Sequence, residues 1–481
     1  MIPVLTADEV RAAERAAMAP LPPGTLMDRA ATAIAVECFD VFRQYGGIVG
    51  RHVLLLVGSG DNGGDALFAG VRLLRRGVAV YALPLGRSMH AEGAAAFARA
   101  GGRVIDTVAA LELFDRLDLV IDGIVGLGSA RGLDGDSALI ARALADADLF
   151  TLAIDVPSGV HTDTGAVSGT AINADLTITF GALRPAHVVA PAALQCGDVY
   201  VADIGVDMRS DNVVVTSEGG FFDPPAADAD KYARGVVGLV TGSTQYPGAA
   251  LLSVASALHS GCGMVRYFGS ARDAVVQTYP EVVVGEQRDI GAAHRTQAWA
   301  VGCGLGTDAS AKQALLDVLA TSAPVVVDAD ALTILSMHAD ARVALSRSAL
   351  TILTPHAGEA ARLAAGYGIQ LDLDGDRVGA AQSLARATKC IVLLKGPSTI
   401  VANSDHYLVT PLLGAQLATA GSGDVLAGLL AGALARWSVD GAIAPDVAME
   451  LAAAAAIRHA AAAAAEDTTA SDLVEGLQQM W

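Results

Sequence analysis

The tetrapeptide Gly-Ser-Gly-Asp stands twice in the chain, at residues 58–61 and 421–424. Paired glycines leave room for a phosphate and its backbone N–H contacts, yet each copy ends in a carboxylate that repels one. A carboxylate in such a place suits proton transfer, or a bound cation, better than a bare phosphate clamp. Around the first copy, Asp61, Asn62 and Asp65 share one loop, and the later runs IDGIVG and AIDVPSG add Asp122, Asp155 and Ser158. Asn62, Asp122 and Ser158 together offer hard oxygen ligands for a cation. The same residue types also make ordinary caps and turns.

The second copy lies in LATAGSGDVLAGLLAGALA, where no apolar strand leads into the glycines and a helix follows them. A helix N-terminus is an anion hole, and its dipole favours an ionised Asp424 able to accept a proton from a hydroxyl beside a phosphoryl group. A plain helix cap is the alternative. Lys395, one of only four lysines, closes the apolar run IVLL in IVLLKGPST and is a candidate phosphate contact. LTPHAGE adds His356 and Glu359, and VVVDADAL adds Asp328 and Asp330. No GxxxxGK[ST] string occurs, so this is not a P-loop.

These residues need elements to hold them. Residues 1–45 read as helices broken at PLPPG; from Arg51, apolar strands alternate with amphipathic helices. That alternation predicts a parallel sheet covered on both faces. GSGDNG matches GxGxxG by letter, but the strand expected to carry a ribose-binding acid ends ALPLGRS without one, so a dinucleotide fingerprint is weak here. Composition changes near residues 208–230, where DPPAADAD interrupts the pattern; the alternation then restarts. We expect an N-terminal domain over 1–210, a linker over 211–228 and a C-terminal domain over 229–481. The alanine-rich MELAAAAAIRHAAAAAAEDTT is expected to be an ordered helix.

The 481 residues carry 52 glycines and a formal charge of −19 spread along the chain, which argues against nucleic acid or an anionic membrane as partner. The five scattered cysteines include no CxxC pair, and the histidines no HExxH, so neither a disulfide framework nor a structural metal is indicated. Apolar stretches are too short to span a bilayer, and the start has no signal-peptide core, so a cytoplasmic location is expected.

NGGD, DGIVGLGSARG and AIDVPSGVHTDTG, with LMDRAA near the start, resemble the epimerase domain of the NAD(P)H-hydrate repair enzymes over residues 1 to about 210. KYARGVVGLVTGS, YPGAA, GCGLG, DADAL, LTPHAGE, LKGPST and LATAGSGDVLAG, from 231 to 428, resemble the nucleotide-dependent dehydratase of the same family. The resemblance implies a Rossmann-like three-layer α/β domain joined to a ribokinase-like three-layer α/β domain. It implies interconversion of the R and S hydrates of NADH or NADPH, then dehydration of the S form at the expense of ADP or ATP, leaving AMP or ADP and phosphate. Asp61, Asn62, Gly63, Gly64, Asp65, Gly126, Leu127, Gly128, Ser129, Ala130, Arg131, Gly132 and Asp155 would contact the hydrate, with Asp155 the acid or base. Potassium would sit on Asn62, Asp122 and Ser158.

In the second domain the resemblance makes Asp424 the base, and Ala249, Gly306, His356 and Asp424 the hydrate pocket. Lys395, Gly396, Pro397, Ser398, Thr399 and Gly423 would hold the adenine nucleotide, which brings Mg2+; a homo-oligomer is expected. The family's GPGNNGGD is GSGDNGGD here, its Asn-Pro-Gly is Gly414-Ala415-Gln416, and ATGG is ATAG. The rival reading is a ribokinase-like small-molecule kinase, whose product keeps its phosphate, with a non-catalytic N-terminal ligand-binding module.

Overall fold

The computed structural model describes residues 1–480 except 148, 227, 228, 294 and 464–466. It divides into two units, one running from Ile2 to Asp211 and the other taking in 212–373 and 377–481.

In the first unit the strands are β1 (His52–Val57), β2 (Ala79–Pro84), β3 (Arg103–Val104), β4 (Leu119–Gly123), β5 (Thr151–Ile154), β6 (Leu176–Phe180) and β7 (Asp198–Ala202). Apolar runs make β1, β2, β4, β5 and β6 largely buried, while β3 and β7 at the two edges are exposed or partly exposed over most of their length. Leu54, Leu55 and Leu56 are wholly buried, pointing to alternate faces, and each contributes roughly 1.5–3 kcal/mol. Every pairing is parallel, in the order β3-β2-β1-β4-β5-β6-β7. The chain steps outward from β1 in both directions, so the loops after β1 and β4 part at the carboxyl edge and leave a crevice. Helices α1 (Ala7–Met18), α2 (Thr25–Gln44) and α3 (Asp61–Leu74) belong to this unit. Thr6 starts α1 with a reciprocal capping box to Glu9.

The second unit contains β8 (Val213–Val214), β9 (Val236–Val240), β10 (Met264–Tyr267), β11 (Val283–Val284), β12 (Ala298–Val301), β13 (Val325–Val327), β14 (Thr351–Leu353), β15 (Ile391–Leu394), β16 (Ile400–Ala402) and β17 (Tyr407–Val409). They lie in the order β8-β17-β16-β15-β14-β13-β12-β9-β10-β11. The block from β15 to β11 is parallel, while β16 and β17 return antiparallel. Here the switch point falls between β9 and β12.

The functional helix of this unit, α4 (Ser422–Trp437), packs on α5 (Pro247–Leu258); the labels follow the order of introduction. A Cβ at Gly428 would stand 2.1 Å from the Ser253 carbonyl oxygen, and one at Gly432 2.1 Å from the Ser260 hydroxyl. Glycine at this four-residue spacing is therefore what lets the two helices close up and fixes the start of α4. The alanine-rich run forms a helix over Pro445–Ala461, with residues 452–456 buried throughout. Side chains this small allow burial on every side. Part of that expectation, at 464–466, lies outside the described residues.

Of the stretch expected as linker, 211–228, residues 212–226 belong to the second unit, and 227 and 228 lie outside the described residues. Val213–Val214 pairs with β17, Phe222 is buried, and the Arg458 guanidinium reaches Glu218 at 2.7 Å while lying over the Phe222 ring. Short apolar pieces inside a polar, proline-rich segment buy this attachment. Among the described residues, no helix is long and apolar enough to cross a membrane.

Candidate active sites

At the crevice of the first unit, α3 begins directly after the glycine loop, so Asp61, Asn62 and Asp65 all stand on its first turns. A Cβ at Gly63 would meet the Gly58 carbonyl oxygen at 2.3 Å, and one at Gly64 the Met27 and His90 side chains at 3.0–3.3 Å. These two glycines thus serve close packing, and neither forms the wall of the cleft beside them. That wall is made by residues 58–62, Asp65, Gly126, Leu127, Gly128, Arg131, Asp155, Phe180 and Arg184, among others, around about 990 Å3. Arg11, Arg15 and Arg87 also border it, so the cationic groups of this cleft come from scattered positions and not from the glycine loop. Of the loop 126–132, Ser129 is buried and donates its hydroxyl to the Val160 carbonyl, and Gly132 backs onto Ser168. Neither they nor Ala130 line the cleft.

Asp122 and Ser158 meet directly, and Asn62 stands against Gly126, next to the Val125 that Ser158 holds. The Ser158 hydroxyl and backbone N–H each donate to Asp122 at 2.7 Å, and the Val125 N–H donates to the Ser158 Oγ at 3.0 Å. Asn62 donates its Nδ2 to the Ile154 carbonyl at 2.8 Å, leaving Oδ1 against Gly126, where a Cβ would come within 2.3 Å. Burial raises the Asp122 carboxyl to about 6 against the lowering by Ser158. One carboxylate, one amide oxygen and one hydroxyl form a hard-oxygen set with a single charge, which fits a monovalent cation.

Asp155 follows β5 with φ 65°, a left-handed conformation unusual for a residue with a Cβ. Its surroundings hold it there. The Arg184 N–H donates to His187 Nδ1 at 2.9 Å, which puts the ring proton on Nε2, and Nε2 donates to the Asp155 carbonyl at 2.6 Å. Burial, then Arg184, lowers His187 to about 4, so it stays neutral. Asp155 Oδ1 accepts from Thr179 at 3.1 Å and from the buried Arg184 guanidinium at 3.2 Å; Oδ2 is buried without a partner. One oxygen is anchored and the other is free beside the cleft.

In the second unit the candidate groups collect at the carboxyl ends of β12 to β15. Asp424 sits in the first turn of α4, after Gly421 as N-cap at φ 88°. Lys395, next after β15, pairs with Asp328 at 2.8 Å and lies 3.8 Å from Glu359. Burial works to lower Lys395, but Asp328 and Glu359 outweigh it and hold it charged. A Cβ at Gly423 would meet Lys395 Nζ at 3.2 Å and Asp328 Oδ2 at 3.4 Å, so this glycine keeps the ion pair next to the helix start. Burial first, and Asp328 second, raise Asp424 to about 6; the Cys303 thiol and Lys395 pull the other way.

The residues expected to bound the hydrate come from the start of α5, the loop after β12 and the loop after β14. Gly304 presses on Ala249, with its Cβ position 2.7 Å from that methyl, and the Gly306 N–H donates to Asp330 at 2.8 Å. His356 caps the helix Ala357–Gly366 through Nδ1 and keeps its exposed ring edge 3.5 Å from Glu359. Of the five residues at 395–399, Lys395 meets the acid cluster; Gly396 and Pro397 are exposed, whereas Ser398 and Thr399 are buried in the hairpin, Thr399 donating to Thr410 Oγ1.

Two family models match the chain: one described as "YjeF-related protein N-terminus", over residues 23–186, and one described as "NAD(P)H-hydrate dehydratase", over 237–479. A bifunctional NAD(P)H-hydrate repair enzyme of Mycobacterium tuberculosis is 43% identical over 434 residues, 89% of this chain and 88% of that protein. The chain belongs to the bifunctional NAD(P)H-hydrate repair enzymes. A relative of the same name from Salinibacter ruber is 31% identical over 98% of this chain and 95% of its own length. Among solved structures, the ADP/ATP-dependent NAD(P)H-hydrate dehydratase of Bacillus subtilis, co-crystallised with ATP/Mg2+, is 26% identical, with a TM-score of 0.46 over 56% of this chain and 99% of that chain.

Among the bifunctional NAD(P)H-hydrate repair enzymes, the chain departs from the expected string at Gly414-Ala415-Gln416. Gly414 adopts φ 81°, and the end of the Gln416 side chain lies 2.1 Å from where a Cβ would stand. Sequence reasoning missed Glu14, Arg184, His187 and Cys303. The pairing of Arg184 with Asp155 spans 29 residues and carries no periodic signal. A charged residue after the buried run TITFGAL was the one available hint.

Proposed function

We propose that the N-terminal unit interconverts the R and S hydrates of NADH or NADPH, and that the C-terminal unit dehydrates the S form with ADP or ATP. What carries the second half is Asp424, held at a helix N-terminus beside the Lys395–Asp328 pair. Asp424 accepts the proton of the added hydroxyl as that oxygen attacks the terminal phosphoryl group. The amide hydrogens at the start of α4, Gly423 included, and the Lys395 ammonium face the charge carried by the transferring group. Loss of the phosphate with its oxygen then restores the dihydronicotinamide. Ala249, Gly306 and His356 bound the hydrate, and residues 395–399 the nucleotide. Mg2+ fits as a companion of the nucleotide phosphates, since such an ion keeps several waters and one or two carboxylates. We further place the protein in the cytoplasm as a homo-oligomer.

The test is incubation with separated hydrate epimers, with and without ADP or ATP. Reduced nicotinamide absorbance together with free inorganic phosphate supports dehydration, while a stable phosphorylated alcohol would make this unit a kinase. With Asp424 raised to about 6, its active, ionised form is present above that pH and lost below it. The dehydration kcat/KM is accordingly expected to fall about tenfold per unit below pH 6.

In the first unit, Asn62, Asp122 and Ser158 would hold potassium, whose charge would offset that of Asp122. Epimerisation is expected to slow by about tenfold when potassium is replaced by lithium or tetramethylammonium, an effect of the size lost when ligand support is removed. Equal rates in all three buffers would take the cation out of the site.

A further inference from the structure

Among the described residues, two carboxylates of the first unit carry a buried oxygen with no hydrogen-bond partner, Asp65 Oδ1 and Asp155 Oδ2, and both residues line the same cleft. Asp65 is 7% exposed and Asp155 3%. A buried, unpartnered carboxylate oxygen is costly unless a ligand meets it or a proton neutralises it. Their surroundings differ in one decisive way. Asp155 has a cation, the Arg184 guanidinium at 3.2 Å, and a hydroxyl, Thr179, on its other oxygen. Asp65 is surrounded by charges of its own sign: burial first, then Asp61, Asp155 and Glu14, push its carboxyl well above the usual range. Asp65 also borders an adjoining cavity with Phe68 and His90, and Phe180 lines both that cavity and the cleft. The carboxyl set among like charges is the one suited to give a proton, and the carboxyl set against a guanidinium and a hydroxyl the one suited to take it.

We propose that Asp65 and Asp155 act as a pair in epimerisation, Asp155 taking the hydroxyl proton and Asp65 giving one to the ring nitrogen. This rests on the epimerase reading of the first unit. The carbinol O–H transfers its proton to Asp155, its oxygen–carbon bond becomes a carbonyl, and the bond from that carbon to the ring nitrogen breaks. The nitrogen takes the proton of Asp65 as the electron pair arrives. The open-chain aldehyde turns about its single bond and presents its other face. The nitrogen then re-attacks, returning its proton to Asp65, while Asp155 reprotonates the new alkoxide. Atoms and charge balance over the cycle, and no redox partner or cofactor is consumed. Separate groups are needed because proton removal and proton delivery occur at different atoms of one ring within one event.

The experiment is steady-state epimerisation by the full chain as wild type, Asp65→Asn, Asp65→Glu and Asp155→Asn, scored by chromatography of the two hydrates. Asp65→Asn is expected to lower kcat about 100-fold with KM within about twofold, and Asp65→Glu to recover part of the loss. Dehydration of the S hydrate by the same preparations, and binding of NADPH to them, report on folding and on the cleft. A raised KM with kcat retained, or loss of NADPH binding in Asp65→Asn, would make Asp65 a binding or structural residue and overturn the pair. If the wild type itself fails to exceed the spontaneous rate, the epimerase reading has failed. If only Asp65→Asn keeps full kcat, this inference alone is lost.

Discussion

Asp424→Asn is expected to lower nucleotide-dependent dehydration of the S hydrate about 1,000-fold while leaving epimer interconversion at the wild-type rate. Asparagine keeps the size of the side chain and removes its capacity to accept the hydroxyl proton. Binding of nucleotide relies on the α4 amides and Lys395, which the exchange leaves in place, so the loss falls on kcat and leaves the nucleotide KM nearly unchanged. Stability supplies an independent check. Folding raises the Asp424 carboxyl from its ordinary value to about 6, so the folded state is favoured when it is protonated and loses that advantage as pH rises through this window. Above pH 6 the ionised group is a burden next to Asp328, and asparagine removes it. The melting temperature at pH 8 is therefore held or raised in the variant. Dehydration near the wild-type rate would show that another group takes the proton. Loss of both activities with melting unchanged would show that the two reactions do not have separate sites.

What could be read from the sequence follows the range of the forces involved. β1 was legible because the apolar run 53–57, followed by glycine, declares a buried strand locally. The start of α4 was legible for the same reason: glycine, serine and aspartate at a helix opening have local backbone chemistry. The two-residue strands β3 and β11 left no periodic trace. Nor did β8, whose partner β17 lies about 195 residues further along the chain and which draws two residues of the expected linker into the sheet. The same limit governs the sites. Loops at strand ends place Asp122 near Ser158 once the sheet order is known, and the sequence alone offered both as oxygen donors. Lys395 was noticed as a rare cation, but its partner Asp328 lies 67 residues away and only the adjacency of β13, β14 and β15 brings them together. Gly63 and Gly64 illustrate the converse. They sit in the motif that draws attention to the cleft, yet their role is to let α3 approach Gly58 and the Met27 side chain.

Asp155→Ala should separate the two reactions in time. Given a mixture of hydrates and excess ADP or ATP, the wild type converts all of it to reduced nicotinamide in one phase, because the R form is continually passed to the S form. The variant should give a rapid burst equal to the S fraction of the mixture, followed by a slow phase at the spontaneous rate of interconversion. Removing a positioned general base costs about 100- to 10,000-fold, and Asp155 also supplies the one oxygen anchored against Arg184 and Thr179. Alanine leaves the Arg184 guanidinium buried without its carboxylate, a change costing about 3–5 kcal/mol when one partner of a buried pair is removed. The burst itself guards against misreading that cost. Its rate depends on the second unit of the same chain, so an intact burst with a missing second phase places the defect in epimerisation and not in the preparation. Asp155→Asn, which retains a hydrogen-bonding oxygen for Arg184, should show the same two phases with less loss of stability. A second phase at the wild-type rate in both variants would remove Asp155 from the chemistry and leave the R hydrate to be turned over by another group.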